Sequence, residues 1–130
     1  MKDEAAGVRR KAYGKVNLTL RVTGRRSDGY HEVSTVMVPV RLHDMLTFRS
    51  GGEGLTVLCP GMPDLAPKDN LVAKAARAVL DVSGSSLDAT IEVDKAIPAG
   101  GGMGGGSSDA AATLLAVNEM LSEERHLRPG

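Results

Sequence analysis

Pro98-Ala99-Gly100-Gly101-Gly102-Met103-Gly104-Gly105-Gly106-Ser107-Ser108-Asp109 is the stretch on which the reading of this chain turns. Six of the chain's sixteen glycines lie between positions 100 and 106. Residues 87–94 alternate Leu87, Ala89, Ile91 and Val93 with Asp88, Thr90, Glu92 and Asp94, the period of a half-buried strand. After the glycines, Ala110, Leu114, Val117 and Leu121 recur at helical spacing, which predicts a helix over 110–121. The loop therefore joins a strand to a helix. Glycine backbones reach φ > 0, so successive N–H groups can converge on one point where a helix begins, and such arrays attract anions. Ser107 and Ser108 add hydroxyls able to cap the helix, touch a phosphate or ligate Mg²⁺. Lys95 precedes the loop as a cation placed to face the same anion. Glycine runs also serve as flexible linkers, but a linker separates domains, and this one lies between two elements of one short chain. The reading is a phosphate cradle. It is not a Walker loop, because no Lys follows the last glycine.

The composition narrows the classes. At 130 residues the chain fits one domain with a real core. Sixteen Lys and Arg balance sixteen Asp and Glu, which argues against a general nucleic-acid binder. Three aromatic residues and no Trp leave few platforms for stacking bases. Cys59 is the one cysteine, so no internal disulfide forms, and a small buried hydrophobe in a reducing compartment is expected. No apolar run has the length of a membrane span, and the first seven residues lack a signal-peptide core, so the expected location is the cytoplasm.

Outward from the loop, Val16, Leu18, Leu20 and Val22 alternate with Lys15, Asn17, Thr19 and Arg21, a strand that projects Lys15 and Asn17 from one face. A turn over 23–29 leads to a second extended run through Val33, Val36, Val38 and Val40, where Pro39 marks an edge or bulge. Short strands over 45–49 and 55–59 flank a glycine-rich turn and read as a hairpin. Asp69 or Asn70 caps a helix whose Leu71, Val72, Ala75, Ala76, Val79 and Leu80 share a face. The order, β-rich first and then βαβ-like with a final helix, is α+β.

Four segments occur in a telling order: Lys15-Val16-Asn17-Leu18; Arg25-Arg26-Ser27-Asp28-Gly29-Tyr30-His31; Asp69-Asn70-Leu71; and Asp94-Lys95-Ala96-Ile97-Pro98 with the glycine loop. Together they resemble the N-terminal half of the 4-diphosphocytidyl-2-C-methyl-D-erythritol kinases, a family of the galactokinase, homoserine kinase, mevalonate kinase and phosphomevalonate kinase superfamily. The loop alone resembles the superfamily, and Asp28-Gly29-Tyr30-His31 points to this member. The resemblance implies a ribosomal S5 domain 2-like fold, a β-rich layer packed with helices and containing a left-handed βαβ crossover, an exception to the usual hand. It implies transfer of the γ-phosphoryl of ATP, with Mg²⁺, to a hydroxyl of a cytidine-diphosphate methylerythritol, a small-molecule substrate of a non-mevalonate isoprenoid route. It makes Lys15 the catalytic cation beside the acceptor hydroxyl and Asn17 a substrate-orienting residue. Tyr30 would stack on the cytosine and His31 would hydrogen-bond its edge. Asn70, Lys95, Pro98, Gly100, Gly101, Gly102, Gly104, Gly105, Gly106, Ser107 and Ser108 would hold the nucleotide, with Ser108 near the metal.

From the residues alone, Tyr30 and His31 read more readily as a strand-end aromatic packed on the core with a satisfied histidine, and Asn70 reads also as a helix cap. Tyr13-Gly14 stands where the family has Pro-Ala, and Met103 where it has Leu or Ala. The family's catalytic aspartate lies in a Gly-Ala-Asp segment that this sequence does not reach, and Asp109 matches only the loop's trailing Asn or Asp. The expectation over residues 1–130 is thus a truncated ATP-binding N-terminal kinase domain, without turnover of its own. Two alternatives stay open: another kinase of the superfamily, of homoserine or mevalonate type, or a non-catalytic nucleotide- or RNA-binding module. Displacement by cytidine nucleotides separates the first, and a salt-dependent RNA gel shift the second.

Overall fold

The computed structural model describes residues 7–25, 27–60, 70–98 and 101–127. Two long strands, β1 (Val8–Arg25) and β2 (His31–Ser50), pair antiparallel as a ribbon. β3 (Leu55–Leu58), α1 (Leu71–Ser83) and β4 (Ala89–Asp94) follow, then α2 (Gly105–Leu127). The sheet runs β1-β2-β4-β3, with β4 antiparallel to β2 and parallel to β3. β3, α1 and β4 therefore form the expected βαβ unit.

One expectation fails. Residues 45–49 and 55–58 do not pair as a hairpin, because β4 inserts between them. The turn is open enough to receive β4: Gly51 donates to the Asp88 carbonyl at 2.9 Å and Gly54 to Asp88 Oδ1 at 2.8 Å. A parallel neighbour and an antiparallel neighbour thus both satisfy β4, which a two-strand hairpin would leave unpaired.

Where β2 runs beyond β4, only β1 accompanies it. Pro39, which has no N–H to donate, pairs with Lys15 in this outboard stretch, next to the register shift between Tyr13 and Lys15. One face of the sheet carries the core: Leu46 and Phe48 from β2 and Ala89, Ile91 and Val93 from β4 pack with Val72, Ala76, Ala116, Val117 and Leu121 from the helices. Alternation along the strands and the helical period deliver these residues to one side. Asn70 caps α1, its Oδ1 accepting from the N–H of Val72 at 2.8 Å and of Ala73 at 3.4 Å. Ala73 is buried while Leu71 stands half exposed, so the face of α1 is turned slightly from the one the spacing predicts. Among the described residues, no helix is long and apolar enough to cross a membrane.

Candidate functional site: a glycine-rich helix N-terminus

α2 begins at Gly105, five residues before the apolar period starts at Ala110. Glycine is a poor helix former, so packing must hold this first turn. A Cβ on Gly105 would come within 2.9 Å of Ile97 Cγ2, and one on Gly106 within 3.0 Å of Leu71 Cδ1. The helix end is therefore pressed against the chain leaving β4 and against the start of α1. Gly104 has φ +66, the left-handed turn that lets the chain enter the helix directly from the loop. We expect Gly105→Ala to displace Ile97 and weaken any anion binding about tenfold or more. Titration of inorganic triphosphate against both chains checks this, and equal affinities would refute the close fit.

The first helical bond runs from the Ser108 N–H to the Gly104 carbonyl at 2.9 Å. Helix geometry leaves the N–H groups of Gly105, Gly106 and Ser107 without intrahelical acceptors. Gly106 and Ser107 are exposed, and neither the Ser107 nor the Ser108 hydroxyl has a hydrogen-bond partner among the described residues. This end of α2 presents donors and the positive end of the helix dipole to solvent.

Lys15 lies against it. Its N–H donates to the Met103 carbonyl at 2.9 Å and its Nζ to the Gly102 carbonyl at 2.8 Å. β1 thereby grips the loop by its carbonyls and takes none of the first helix amides. Asn17, two residues along β1, is exposed and accepts from Thr35 Oγ1 at 3.3 Å. Asn70 is buried, its side-chain oxygen occupied as the α1 cap, and the contact of Leu71 with Gly106 brings that cap toward the loop. Pro98 and Gly101 are exposed in the approach, joined by a 3.4 Å bond from the Gly101 N–H to the Pro98 carbonyl. Gly100 lies outside the described residues.

Two expected site residues are not gathered here. Tyr30 is 72 % exposed on the turn, its N–H held by Asp28 Oδ1, and His31 pairs with Arg25 at the open end of the ribbon. The His31 side chain is outside the described residues. About ten residues of β1 lie between this end and Lys15, interrupted by the register shifts at Asn17/Thr19 and Val22/Gly24, which bend the ribbon.

Lys95 does not face outward as a lone cation. Its Nζ lies 2.5 Å from Asp44 Oδ2 and 2.9 Å from Asp109 Oδ2. Asp44, fully buried on β2, also accepts from the N–H groups of Ala96 at 2.7 Å and Ile97 at 2.9 Å through Oδ1. Burial pushes the Asp44 carboxyl up, but bonds with Asp109, Ile97, Lys95 and Ala96 outweigh it and leave the pKa below the usual value. Burial likewise lowers Lys95, and the two carboxylates reverse this and hold it raised. Asp109 goes the other way: burial first, then the neighbouring Asp44, raise its pKa to about 7 against the pull of Lys95. Its Oδ1 is buried without a partner. The sequence did carry one sign of this cluster, since Asp44 shares a strand face with Leu46 and Phe48. A charge in that row needs a buried partner.

Among the described residues, no group of three His, Cys, Asp or Glu could hold a metal ion.

Residues 70–128 match the model of the GHMP kinases N terminal domain. A solved 4-(cytidine 5'-diphospho)-2C-methyl-D-erythritol kinase superposes with a TM-score of 0.74 and 41% identity, over 87% of this chain and 40% of that one. The chain has the GHMP kinase N-terminal fold. A mevalonate kinase of the same fold superposes with a TM-score of 0.67 at 15% identity, over 88% of this chain and 41% of that one. In sequence, the chain resembles part of the 4-diphosphocytidyl-2-C-methyl-D-erythritol kinases. It is 48% identical over 109 residues to that of Cupriavidus taiwanensis, covering 84% of this chain and 37% of the relative. It is 50% identical over 110 residues to that of Pelotomaculum thermopropionicum, covering 84% and 38%. The chain thus spans well under half the length of these relatives. The GHMP match covers α1, β4, the loop and α2, the elements that build the anion-ready helix end.

Proposed function

We propose that residues 1–130 form the ATP-binding N-terminal domain of a cytoplasmic small-molecule kinase of non-mevalonate isoprenoid synthesis. Its reaction moves the γ-phosphoryl of ATP to a hydroxyl of 4-diphosphocytidyl-2-C-methyl-D-erythritol. The observation that carries this reading is the start of α2, where the N–H groups of Gly105, Gly106 and Ser107 have no intrahelical acceptor and Lys15 lies alongside. Donors fixed before a phosphate arrives stabilise its charge without reorganisation.

In this reading the acceptor oxygen forms the new bond to the γ-phosphorus as the β–γ bridging bond breaks and ADP leaves. The cradle residues Gly101, Gly102, Gly104, Gly105, Gly106, Ser107 and Ser108 hold the phosphates, and Pro98 and Asn70 border them. Lys15 exchanges its Gly102 carbonyl for the acceptor oxygen and offsets the negative charge that develops there. The Ser108 hydroxyl would help hold a Mg²⁺ brought with the nucleotide, and that ion would supply neutralisation of phosphate charge. Asn17 orients the acceptor from the same strand face. Tyr30 and His31 receive the cytidine end, a role supported by the Asp28-Gly29-Tyr30-His31 segment and by the exposure of the Tyr30 ring. The resemblance assigns proton removal to an aspartate beyond this sequence, and the buried Asp44 and Asp109 are unsuited to it.

The test is phosphoryl transfer by a chain extended to the length of its relatives. Expected are turnover of the cytidine-diphosphate substrate, competition by cytidine nucleotides, and a loss of about a hundredfold in kcat for Lys15→Ala. Turnover of homoserine or mevalonate instead, or an undiminished Lys15→Ala, would refute the assignment.

A further inference from the structure

Behind the cradle lies a cluster that phosphate binding alone does not explain. The single Asp44 carboxylate fixes three consecutive residues, holding Lys95 through Oδ2 and the N–H groups of Ala96 and Ile97 through Oδ1. Ile97 is buried and meets α2 at the position where Gly105 has no side chain. Lys95 Nζ stands 3.3 Å from the place a Gly105 Cβ would take, and its second carboxylate, Asp109, belongs to α2 itself. An unbroken path thus runs from the middle of β2, through residues 95–97, into the first turns of α2.

We propose that Asp44 is the positioning residue of the anion cradle, and that Lys95 braces the helix N-terminus from behind instead of touching the phosphates. The identity of the ligand rests on the kinase reading above, but the bracing itself does not. Charge-assisted bonds in a buried socket are short and directional, so the segment that Gly105 packs against has little freedom. Donor amides bind an oxyanion well only when held close to their productive geometry. A lysine already paired with two carboxylates brings no surplus positive charge to a phosphate. Its placement suits a brace.

The test is a double-mutant cycle in the intact protein with Asp44→Asn, Lys95→Met and the two combined. Two quantities are read: the dissociation constant of a non-hydrolysable ATP analogue, and the amide resonances of Gly105, Gly106 and Ser107 without ligand. Each single change is expected to weaken binding about tenfold or more, and the combination to be no worse than the more damaging single. The three amides should shift in every variant. An equal loss from Lys95→Met in both backgrounds would mean direct phosphate contact and overturn the proposal. Unmoved amides would overturn it as well, whether or not the analogue binds. Failure of the unaltered protein to bind the analogue would refute the ATP reading alone, and the amides would still decide the bracing. If Asp44→Asn does not fold, Lys95→Arg decides, since it keeps the charge but misfits the socket: tenfold weaker binding supports the brace, and unchanged binding sinks it.

Discussion

Asp44→Ala is expected to cost the chain about 3–5 kcal/mol of stability, enough to unfold a marginal domain. The change removes a carboxylate with no solvent exposure and strands three donors together: Lys95 Nζ and the N–H groups of Ala96 and Ile97. Lys95 keeps Asp109, but the two backbone amides lose their acceptor in a site where water is scarce. Leaving a buried donor unmade costs more than a made bond contributes. The small Ala side chain also leaves a void beside Ala12, its partner across β1 and β2. Urea unfolding of both chains measures the difference. A loss under about 1 kcal/mol would mean that the socket is hydrated and the carboxylate dispensable.

The second large effect is a pH dependence set by Asp109. Its pKa rises from the ordinary 3.8 to about 7 on folding, so between those values the folded chain holds a proton that the unfolded chain releases. Stability therefore falls as pH rises through this window, by a few kcal/mol in order of magnitude. Above the window both states are ionised and the loss is complete. Asp44 acts in the opposite sense. Its lowered pKa gives stability that is present above the ordinary carboxylate value and lost as the pH drops below it. Lys95, raised, keeps its contribution until the pH passes its ordinary value of 10.5. From these three groups, stability should peak near the ordinary carboxylate value of 3.8, where the two aspartate windows meet. Asp109→Asn should remove most of the fall between pH 4 and 7 while keeping the shape of the side chain. Chemical unfolding across that range in both proteins decides it, and parallel profiles would show that Asp109 is not the titrating group.

Much of the fold could be read from local pattern. The strand before the loop, the cap at Asn70 and the helices were legible because side-chain period and capping chemistry are properties of neighbouring residues. The glycine-rich junction between a strand and a helix start was legible too, since it depends on backbone freedom and on local period. The start of α2 was misplaced, because glycine propensity argued against a helix whose first turn is held by Ile97 and Leu71. The pairing of 45–49 with 55–58 was misread for a related reason: a glycine-rich turn between two strands looks the same whether or not a third strand enters between them.

By itself the sequence determined which segments are strand or helix, and that a run of main-chain donors stands at one junction. Only the tertiary structure decided what that junction rests on. Asp44, Lys95 and Asp109 are separated in the chain, and they meet because β4 lies beside β2 and α2 packs against β1 and β2. A charge on a strand declares that it needs a partner, but which partner it finds is settled by strand order, and strand order is a property of the whole sheet.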